Sequence, residues 1–398
     1  MPLDTPIAIV TPWWNEQVSG GAEFLARQLA FQLLAHGQRV EVLTTCGCDP
    51  FHDWSEDYFP PGASEENGLT VRRFRLDLRN ASYFAQLSEI LAAGQFLPPP
   101  KEQEFLANSI NSRALCQFIE ENRDRYVLCF IPYLYGTTFA GIRAAGGRAI
   151  IIPCLHNEPI AYLWPFQQMM ASVRGAWFLS EPECRFARTL YPIQRVENLV
   201  AGPGMDFCGR GNGEAFRQEY GLEGPVAMFA GRRVPGKGFD LLLNFFVRFS
   251  RNHPEWTLVL AGAGERLRED ARADLSHVLD VGFVDKQVLW DALAAATVFC
   301  QPSRYESFSY VLMESWVQET PALVNATCDV LRWQCKVAGG GLWFGDEDEF
   351  EGALCYLQTH ADAARQIGRQ GADYVARNLR WDAVMDRLEA FLTACGFK

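Results

Sequence analysis

The sequence lacks the features that mark several large classes of protein. Its 36 lysines and arginines are outnumbered by 48 aspartates and glutamates, which gives a formal net charge of −12. Nucleic-acid binding needs clustered cations that release counterions from phosphates, so this balance argues against a nucleic-acid partner. The sequence has no run of about eighteen apolar residues and no basic segment followed by an apolar one at its start. These absences predict a cytoplasmic protein whose contact with a membrane is at most peripheral.

The sequence also lacks the paired ligands of a structural metal site. It has twelve cysteines but no C-x-x-C pair, and Cys46 and Cys48 are separated by a single residue. The six histidines are too dispersed to complete a ligand set by proximity in the sequence. Several cysteines, such as Cys129, Cys154 and Cys300, lie within apolar runs. We therefore expect reduced, buried thiols, no metal ion and no cofactor.

A regular alternation of apolar strand patterns and amphipathic helix patterns runs through the chain. The length of 398 residues, 48% of them hydrophobic, favours two domains over one core. Strands that alternate with helices are typical of a largely parallel sheet. The predicted fold class is therefore α/β, with two doubly wound, Rossmann-like domains that face a cleft. Strands are predicted at residues 7–10, 40–43, 71–76, 127–131, 149–153, 226–229, 257–261, 279–281, 298–301 and 322–324.

An apolar run that ends in Gly202-Pro203-Gly204 separates the two halves. We predict a first domain over residues 1–204 and a second over residues 205–379. The remaining segment, 380–398, has helical spacing from Trp381 to Leu392 and is expected to pack back onto the first domain. Ligands of doubly wound sheets bind beyond the carboxyl ends of the strands, so residues at those ends are the candidates for a site.

Two glutamates eight positions apart, Glu306 and Glu314, flank the predicted start of a helix near Ser309. The free N–H groups and positive dipole of a helix start attract anions, and carboxylates beside it can accept hydroxyls of a ligand that contains the anion. Such a pair alone is more often part of a solvated surface. Upstream, however, an apolar strand ends in a glycine-rich turn with Arg232 and Lys237, two cations suited to a diphosphate. Together these features indicate a sugar nucleotide as the ligand.

In their order along the chain, these motifs resemble those of the family-four retaining glycosyltransferases, the glycosyl transferases group 1, which have the GT-B fold. The resemblance is strongest over residues 228–324 and weakest over 49–125, where such enzymes vary with their acceptor. It depends on Gly20-Gly21-Ala22-Glu23, on the turn from Gly231-Arg232 to Lys237-Gly238, on Pro302-Ser303, and on Glu306 with Glu314. Ser307 and Ser309 stand where family members commonly have glycine.

The resemblance implies a metal-independent hexosyltransferase that moves a sugar from a nucleotide-diphosphate donor to a hydroxyl acceptor. A glycan or a lipid-linked glycan in polysaccharide biosynthesis is the expected acceptor, and the sugar nucleotide is a substrate rather than a cofactor. The first domain would bind the acceptor side and the second the sugar nucleotide. The base, the sugar, the acceptor, the linkage and the oligomeric state stay open.

Residue roles also follow from the resemblance. The implied catalytic residues are His156, Arg232, Lys237 and Glu306. The cations would hold the diphosphate, Glu306 would contact the donor sugar, and Glu314 would accept the ribose hydroxyls. The implied donor-binding residues are Gly20, Gly21, Gly231, Arg232, Lys237, Gly262, Phe283, Glu306, Phe308, Ser309, Tyr310, Val311 and Glu314.

Several parts of the sequence allow a second interpretation. A lone histidine such as His156 is more often an ordinary loop residue, but its place after a strand favours a role near the reacting sugar carbon. Asp346-Glu347-Asp348 resembles the metal motif of a different glycosyltransferase fold, yet it precedes a predicted helix, where acids favour the dipole. A non-catalytic sugar-nucleotide-binding protein remains an alternative. A nucleotide-sugar epimerase is a weaker one, because the first loop lacks a dinucleotide-binding glycine pattern.

Overall fold

The computed structural model describes residues 3–16, 20–206, 209–264 and 275–397. The chain forms two compact units. The first comprises Met1–Gly204 and Trp381–Lys398, and the second comprises Met205–Arg380. The division after Gly204 lies at the predicted boundary, and the second division follows Arg380 rather than Leu379.

The first unit contains an eight-stranded sheet of order β3-β4-β2-β1-β5-β6-β7-β8. Its pairings are parallel except for the antiparallel pair of β3 and β4. The strands are β1 (Ile7–Val10), β2 (Val40–Thr45), β3 (Gly62–Glu66), β4 (Leu69–Phe74), β5 (Val127–Phe130), β6 (Ala149–Ile151), β7 (Gly175–Phe178) and β8 (Glu197–Val200). The helices that precede the second unit are α1 (Gly21–Ala35), α2 (Ala81–Ala92), α3 (Pro99–Ala107), α4 (Arg113–Asn122), α5 (Gly136–Ala145), α6 (Trp164–Ser172) and α7 (Glu181–Leu190).

The second unit contains a parallel six-stranded sheet of order β11-β10-β9-β12-β13-β14. Its strands are β9 (Val226–Ala230), β10 (Thr257–Ala261), β11 (Val278–Gly282), β12 (Val298–Gln301), β13 (Ala322–Asn325) and β14 (Gly341–Phe344). Its helices are α8 (Gly213–Tyr220), α9 (Phe239–Ser250), α10 (Lys286–Ala295), α11 (Tyr310–Val317), α12 (Asp329–Ala338), α13 (Glu347–Thr359) and α14 (Ala361–Asn378). Alternate residues of β9 enter cores on opposite faces, Met228 on one and Phe229 on the other. This explains why the strand is apolar at every position.

The last helix, α15 (Trp381–Ala394), belongs to the first unit. It contacts β8, and a Cβ placed on Gly175 of β7 would lie 2.6 Å from both Cys395 Sγ and the Phe391 ring. Glycine at this position therefore lets the C-terminal segment approach the sheet closely.

The predicted α/β class with two doubly wound domains is confirmed. Strands β3, β7, β8 and β14 were not predicted, and the run that contains β8 was identified only as an apolar segment. Strand β3 is an exposed edge of sequence GASEE without apolar alternation, whereas β7 (GAWF) and β14 (GLWF) have only four residues each. Such short segments contain too little pattern to separate strand from loop.

Both sheets reverse their strand order at the centre, because β1 lies between β2 and β5, and β9 lies between β10 and β12. Loops that leave neighbouring strands there diverge and open a crevice at the carboxyl edge. Candidate site residues follow β9 and β12, so the second sheet brings them together.

The structure also describes the cysteines and the lengths of the helices. Eleven cysteines lie in the described residues, all are free, and nine are buried; Cys208 lies outside these residues. Among the helices described, none combines the length and the apolar character that crossing a bilayer requires.

Candidate functional site

Two adjacent arginines after β9 have different environments. Arg233 forms a two-pronged ion pair with Asp280 of β11, in which Nη1 lies 2.8 Å from Oδ2 and Nη2 contacts Oδ1, and only 4% of its side chain is exposed. Arg232 is partly exposed, and no residue within the described ranges hydrogen-bonds its side chain. Arg233 therefore joins two strand ends, whereas the guanidinium of Arg232 has no hydrogen-bond partner among the described residues.

Lys237 and Glu306 meet at the edge of the sheet although 69 positions separate them. Lys237 follows β9 in a 3₁₀ turn, Pro235–Lys237, and its Nζ donates to Glu306 Oε1 over 2.6 Å. The turn lies against the loop after β12, since a Cβ on Gly238 would lie 2.2 Å from the carbonyl oxygen of Pro302. Gly238 also has a φ of +68°, so two constraints favour glycine there.

The start of α11 lies next to this ion pair. Ser309 caps the helix, because its Oγ accepts the N–H of Leu312 over 3.3 Å. The cap leaves the N–H groups before Leu312, those of Phe308 to Val311, at the positive end of the helix. The helix begins at Tyr310, within one residue of the start predicted near Ser309.

Glu314 lies one turn into α11 and is surrounded by residues that the sequence analysis did not identify. Its Oε1 is 3.8 Å from Lys286 Nζ at the start of α10, and the indole of Trp290 on the same helix lowers the pKa of the carboxyl. Burial raises the pKa of the Glu314 carboxyl, against the opposing effects of Lys286 and Trp290. Lys286 also lies over the Trp290 ring, 5.2 Å from its centroid. The Glu314 carboxyl is therefore held near the start of α11 by a side chain of α10.

Glycines allow the loops after β9 and β10 to touch. A Cβ on Gly262 would lie 2.0 Å from the carbonyl oxygen of Gly231, and Gly262 has a φ of +135°. The loops therefore pack against each other at a position that a residue with a Cβ could not occupy. Phe283, directly after β11, leaves 76% of its surface exposed, which is unusual for a large apolar side chain.

One of the two candidate glycines of the first unit, Gly20, lies against the carboxylate of Glu23. Gly20 is the N-cap of α1, and a Cβ placed on it would lie 1.8 Å from Glu23 Oε2. Around Gly21 nothing described lies within 4 Å of such a Cβ. The glycine at position 20 thus makes room for Glu23, a contact that the sequence analysis did not anticipate.

His156 lies in the loop after β6, in the first unit. Its Nδ1 is 3.5 Å from Glu158 Oε1, and the same oxygen accepts the hydroxyl of Tyr133 over 3.1 Å. Buried Glu183 holds the base of this loop through a 2.6 Å hydrogen bond from the N–H of Leu155. His156 is therefore oriented by an acid and retains 31% exposure of its side chain.

The site residues are thus divided between the units. The second sheet brings Arg232, Lys237, Glu306 and Glu314 to one edge, with Phe283 after the neighbouring β11. Gly20, Gly21 and His156 lie at carboxyl edges of the first sheet.

Two further aspartates, Asp346 and Asp49, have structural hydrogen bonds. Asp346 caps α13 by accepting the N–H of Glu349 over 2.9 Å, so its interpretation as helix-start acid is confirmed. In the first unit, Cys48, Asp49 and His52 place potential metal-ligand atoms within 4.8 Å of one another. Asp49 already hydrogen-bonds both neighbours, with 2.9 Å to His52 Nδ1 and 3.6 Å to Cys48 Sγ. Hydrogen bonding alone accounts for this cluster.

Comparison with solved structures identifies the fold. A sucrose-phosphate synthase of Thermosynechococcus elongatus matches 98% of this chain and 99% of its own, with a TM-score of 0.73 and 18% sequence identity. HepE of Anabaena, solved with UDP and with UDP-glucose, matches 98% of this chain and 100% of its own, with a TM-score of 0.67 and 14% identity. Likeness at these identities defines the fold alone, and the fold is GT-B.

Sequence comparison adds a similarity to one family. Residues 213–372 match the family model described as Glycosyl transferases group 1. Mannosylfructose-phosphate synthase of Agrobacterium fabrum is 32% identical over 45% of this chain and 42% of its own length. A D-inositol 3-phosphate glycosyltransferase of Kribbella flavida is 27% identical over 68% of this chain and 67% of its own. Residues 213–372 are therefore similar to the group 1 glycosyltransferases, the family that the motifs resemble.

Proposed function

We propose that the protein transfers a hexose from a nucleoside-diphosphate donor to a hydroxyl of a sugar-containing acceptor, with retention of configuration. The observation on which this depends is the edge of the second sheet, where Arg232, Lys237, Glu306 and Glu314 surround the start of α11. Two cations and the positive end of a helix suit a diphosphate, and two carboxylates suit hydroxyls on either side of it. HepE, which was solved with UDP and with UDP-glucose, makes a uridine nucleotide the first donor to test.

The proposed mechanism is electrostatic. Departure of the nucleoside diphosphate places growing negative charge on its phosphate oxygens, and Arg232, Lys237 and the dipole of α11 stabilise that charge. Positive charge that develops at the sugar carbon lies between the departing diphosphate and Glu306. The diphosphate itself accepts the proton of the acceptor hydroxyl, so no side-chain nucleophile is required. The cations take the part that a metal ion has in other transferases, and we propose that none is needed.

The acceptor and the biological setting form the outer part of the proposal. Relatives named for mannosylfructose phosphate and inositol 3-phosphate, and one named for lipopolysaccharide core biosynthesis, support a sugar or glycan acceptor. Synthesis of a polysaccharide or glycoconjugate is therefore the proposed role. The eleven free thiols support a reducing compartment such as the cytoplasm.

A donor panel tests the proposal. UDP-, GDP-, ADP- and dTDP-sugars are added in the presence of EDTA, and thermal stability and slow donor hydrolysis are followed for the wild type and for Glu314→Ala. We expect one nucleotide to stabilise the wild type and to lose most of that effect in the variant. Stabilisation without hydrolysis or transfer would favour a non-catalytic sugar-nucleotide-binding protein. Equal binding by the variant would contradict the assigned role of Glu314.

A further inference from the structure

A chain of hydrogen bonds connects the start of α11 to Glu306. Gln301, the last residue of β12, donates from Nε2 to Glu306 Oε1 over 3.0 Å. The Oγ of Ser309 donates to Gln301 Oε1 over 2.8 Å. Gln301, Glu306 and Ser309 are all buried, with exposures of 4%, 8% and 3%. A polar glutamine at the end of the apolar strand VFCQ is the departure from pattern that marks this connection.

The helix cap and Glu306 together match the orientation of the Gln301 amide. Ser309 Oγ accepts the N–H of Leu312 and donates its own proton to Gln301 Oε1. With its oxygen facing Ser309, the amide of Gln301 turns its NH₂ group toward Glu306. This orientation requires that Glu306 Oε1 accept the hydrogen bond.

Both contacts of Glu306 fall on one oxygen. Lys237 Nζ and Gln301 Nε2 donate to Oε1, at 2.6 and 3.0 Å. Within the described residues Oε2 accepts no hydrogen bond, although only 6% of the side chain is exposed. An ionised carboxylate has acceptor sites on both oxygens, so a ligand hydroxyl is the natural partner of Oε2.

We propose that Gln301 and Ser309 are positioning residues of the donor site, which hold Oε1 of Glu306 so that Oε2 receives a hydroxyl of the donor sugar. This inference rests on the proposed function. A bound diphosphate draws Lys237 away from Glu306, because it carries more charge than one carboxylate. Gln301 then remains as the partner that keeps Glu306 in place. Ser309 is one of the two serines that stand where family members commonly have glycine, and its hydroxyl makes the hydrogen bond to Gln301.

The effect of Gln301 and Ser309 on binding of the donor sugar can be separated from their effect on binding of the nucleotide. The connection touches the carboxylate for the sugar, and the cations and Glu314 bind the rest of the donor. Loss of these hydrogen bonds therefore weakens binding of the nucleotide sugar, whereas the sugar-free nucleoside diphosphate binds as before. The ratio of the two dissociation constants measures the position of Glu306, and a general loosening of the fold would move both constants together.

Gln301→Leu is the primary test, with Gln334→Leu as its control. Gln334 is a glutamine of the same unit with 1% exposure that makes no described contact with Glu306. We expect Gln301→Leu to raise the dissociation constant of the nucleotide sugar about tenfold, to leave that of the nucleoside diphosphate within about twofold, and to lower kcat. The control should leave the ratio unchanged. In a Glu306→Ala background Gln301→Leu should have no further effect on the ratio.

Ser309→Ala provides a second test if Gln301→Leu folds poorly, with Ser315→Ala as its control. Ser315 lies on the same helix, is fully buried, and donates to the carbonyl of Leu312 over 2.8 Å. The ratio should rise for Ser309→Ala and not for Ser315→Ala. Equal weakening of both ligands, or none, would overturn the positioning role while nucleotide binding by the wild type keeps the proposed function. A wild type that binds neither ligand would overturn both.

Discussion

Neighbouring arginines after β9 show how much a single residue's surroundings decide. Arg232 and Arg233 have the same chemistry, yet their surroundings differ. Arg233 forms an ion pair with Asp280, whereas Arg232 has no hydrogen-bond partner among the described residues. The sequence motif assigns Arg232 to the diphosphate, and no role was predicted for Arg233. The ion pair with Asp280 separates them, since a buried guanidinium with two bonds to a carboxylate has little left to offer a ligand.

Substitution should separate the two arginines experimentally. Arg233→Ala leaves the half-buried Asp280 carboxylate without its guanidinium partner and is expected to reduce the free energy of unfolding by about 3 kcal/mol. Arg232→Ala should change stability by less than about 0.5 kcal/mol and weaken nucleoside-diphosphate binding at least about tenfold. Denaturant unfolding and calorimetric titration measure the two effects. Comparable stability loss in both variants would contradict this division.

Glu314 gives the site a dependence on pH. Burial raises the pKa of its carboxyl and Lys286 opposes that rise. Hydroxyls of a ribose need the ionised form as acceptor, so donor binding should weaken as pH falls through this pKa. Lys286→Met removes the opposing charge, raises the pKa further, and should move the loss of binding to higher pH. Dissociation constants of the nucleotide measured across pH for both proteins test this, and Lys336→Met, a change on α12, is the control. An unmoved midpoint would count against the coupling.

At the scale of elements, one acid connects a loop to a helix. Ser180 and Glu183 form a capping box at the start of α7, in which Ser180 Oγ accepts the N–H of Glu183 over 3.3 Å. The Glu183 carboxylate accepts the N–H groups of Leu179 and Leu155 over 2.5 and 2.6 Å. A helix cap thereby also holds the base of the loop that contains His156. Burial raises the pKa of Glu183 to about 8, with the N–H groups and His156 opposing the rise.

The pH dependence of stability should report this burial. The folded-state pKa lies above the value of 4.5 for a free glutamate, so the folded protein holds this proton more tightly than the unfolded chain does. The stability that protonated Glu183 contributes is then complete below about pH 4.5 and is lost as pH rises toward about 8. Glu183→Gln should flatten the dependence of the melting temperature on pH in this window. Glu181→Gln, an exposed change in the same helical turn, should not. Parallel curves for all three proteins would exclude this origin.

At the scale of the whole molecule, the chain leaves its first unit and returns to it. Helix α15 belongs to the unit that holds the N-terminus, and Gly175 admits it to the edge of the sheet. Val384, Leu388, Phe391 and Leu392 are buried on this helix. The stability of the first unit therefore depends on its last residues as well as its first.

Gly175→Val tests this dependence. Its side chain would enter the space of Phe391 and Cys395, so α15 should shift and its amides should lose protection from hydrogen exchange. We expect a cost of about 1–3 kcal/mol, confined to the first unit. Gly147→Val is a comparison, because nothing described lies near a Cβ there, although its φ of +83° adds backbone strain. Exchange that rises equally in β9 and β12 would contradict a local effect.

The sequence by itself determined the class of fold and the resemblance to a family. Long apolar strands and amphipathic helices repeat often enough to define two α/β domains, and the spacing of Glu306 and Glu314 is a local property of the chain. It could not define β3 or β14, whose residues obtain their conformation from a neighbouring strand. The donor-site roles that it proposed by motif remain predictions, and Lys286 and Gln301 were not among the residues proposed.

Only the tertiary structure decided which side chains are available and what holds them. Asp280 meets Arg233 and Lys286 meets Glu314 because parallel strands bring their ends together, a proximity with no trace in sequence distance. The orientation of Gln301 likewise depends on a helix cap eight residues later and on a lysine from another loop. Local patterns arise from the chain's own backbone geometry, whereas burial and pairing depend on which segments pack together, and packing is a property of the whole fold.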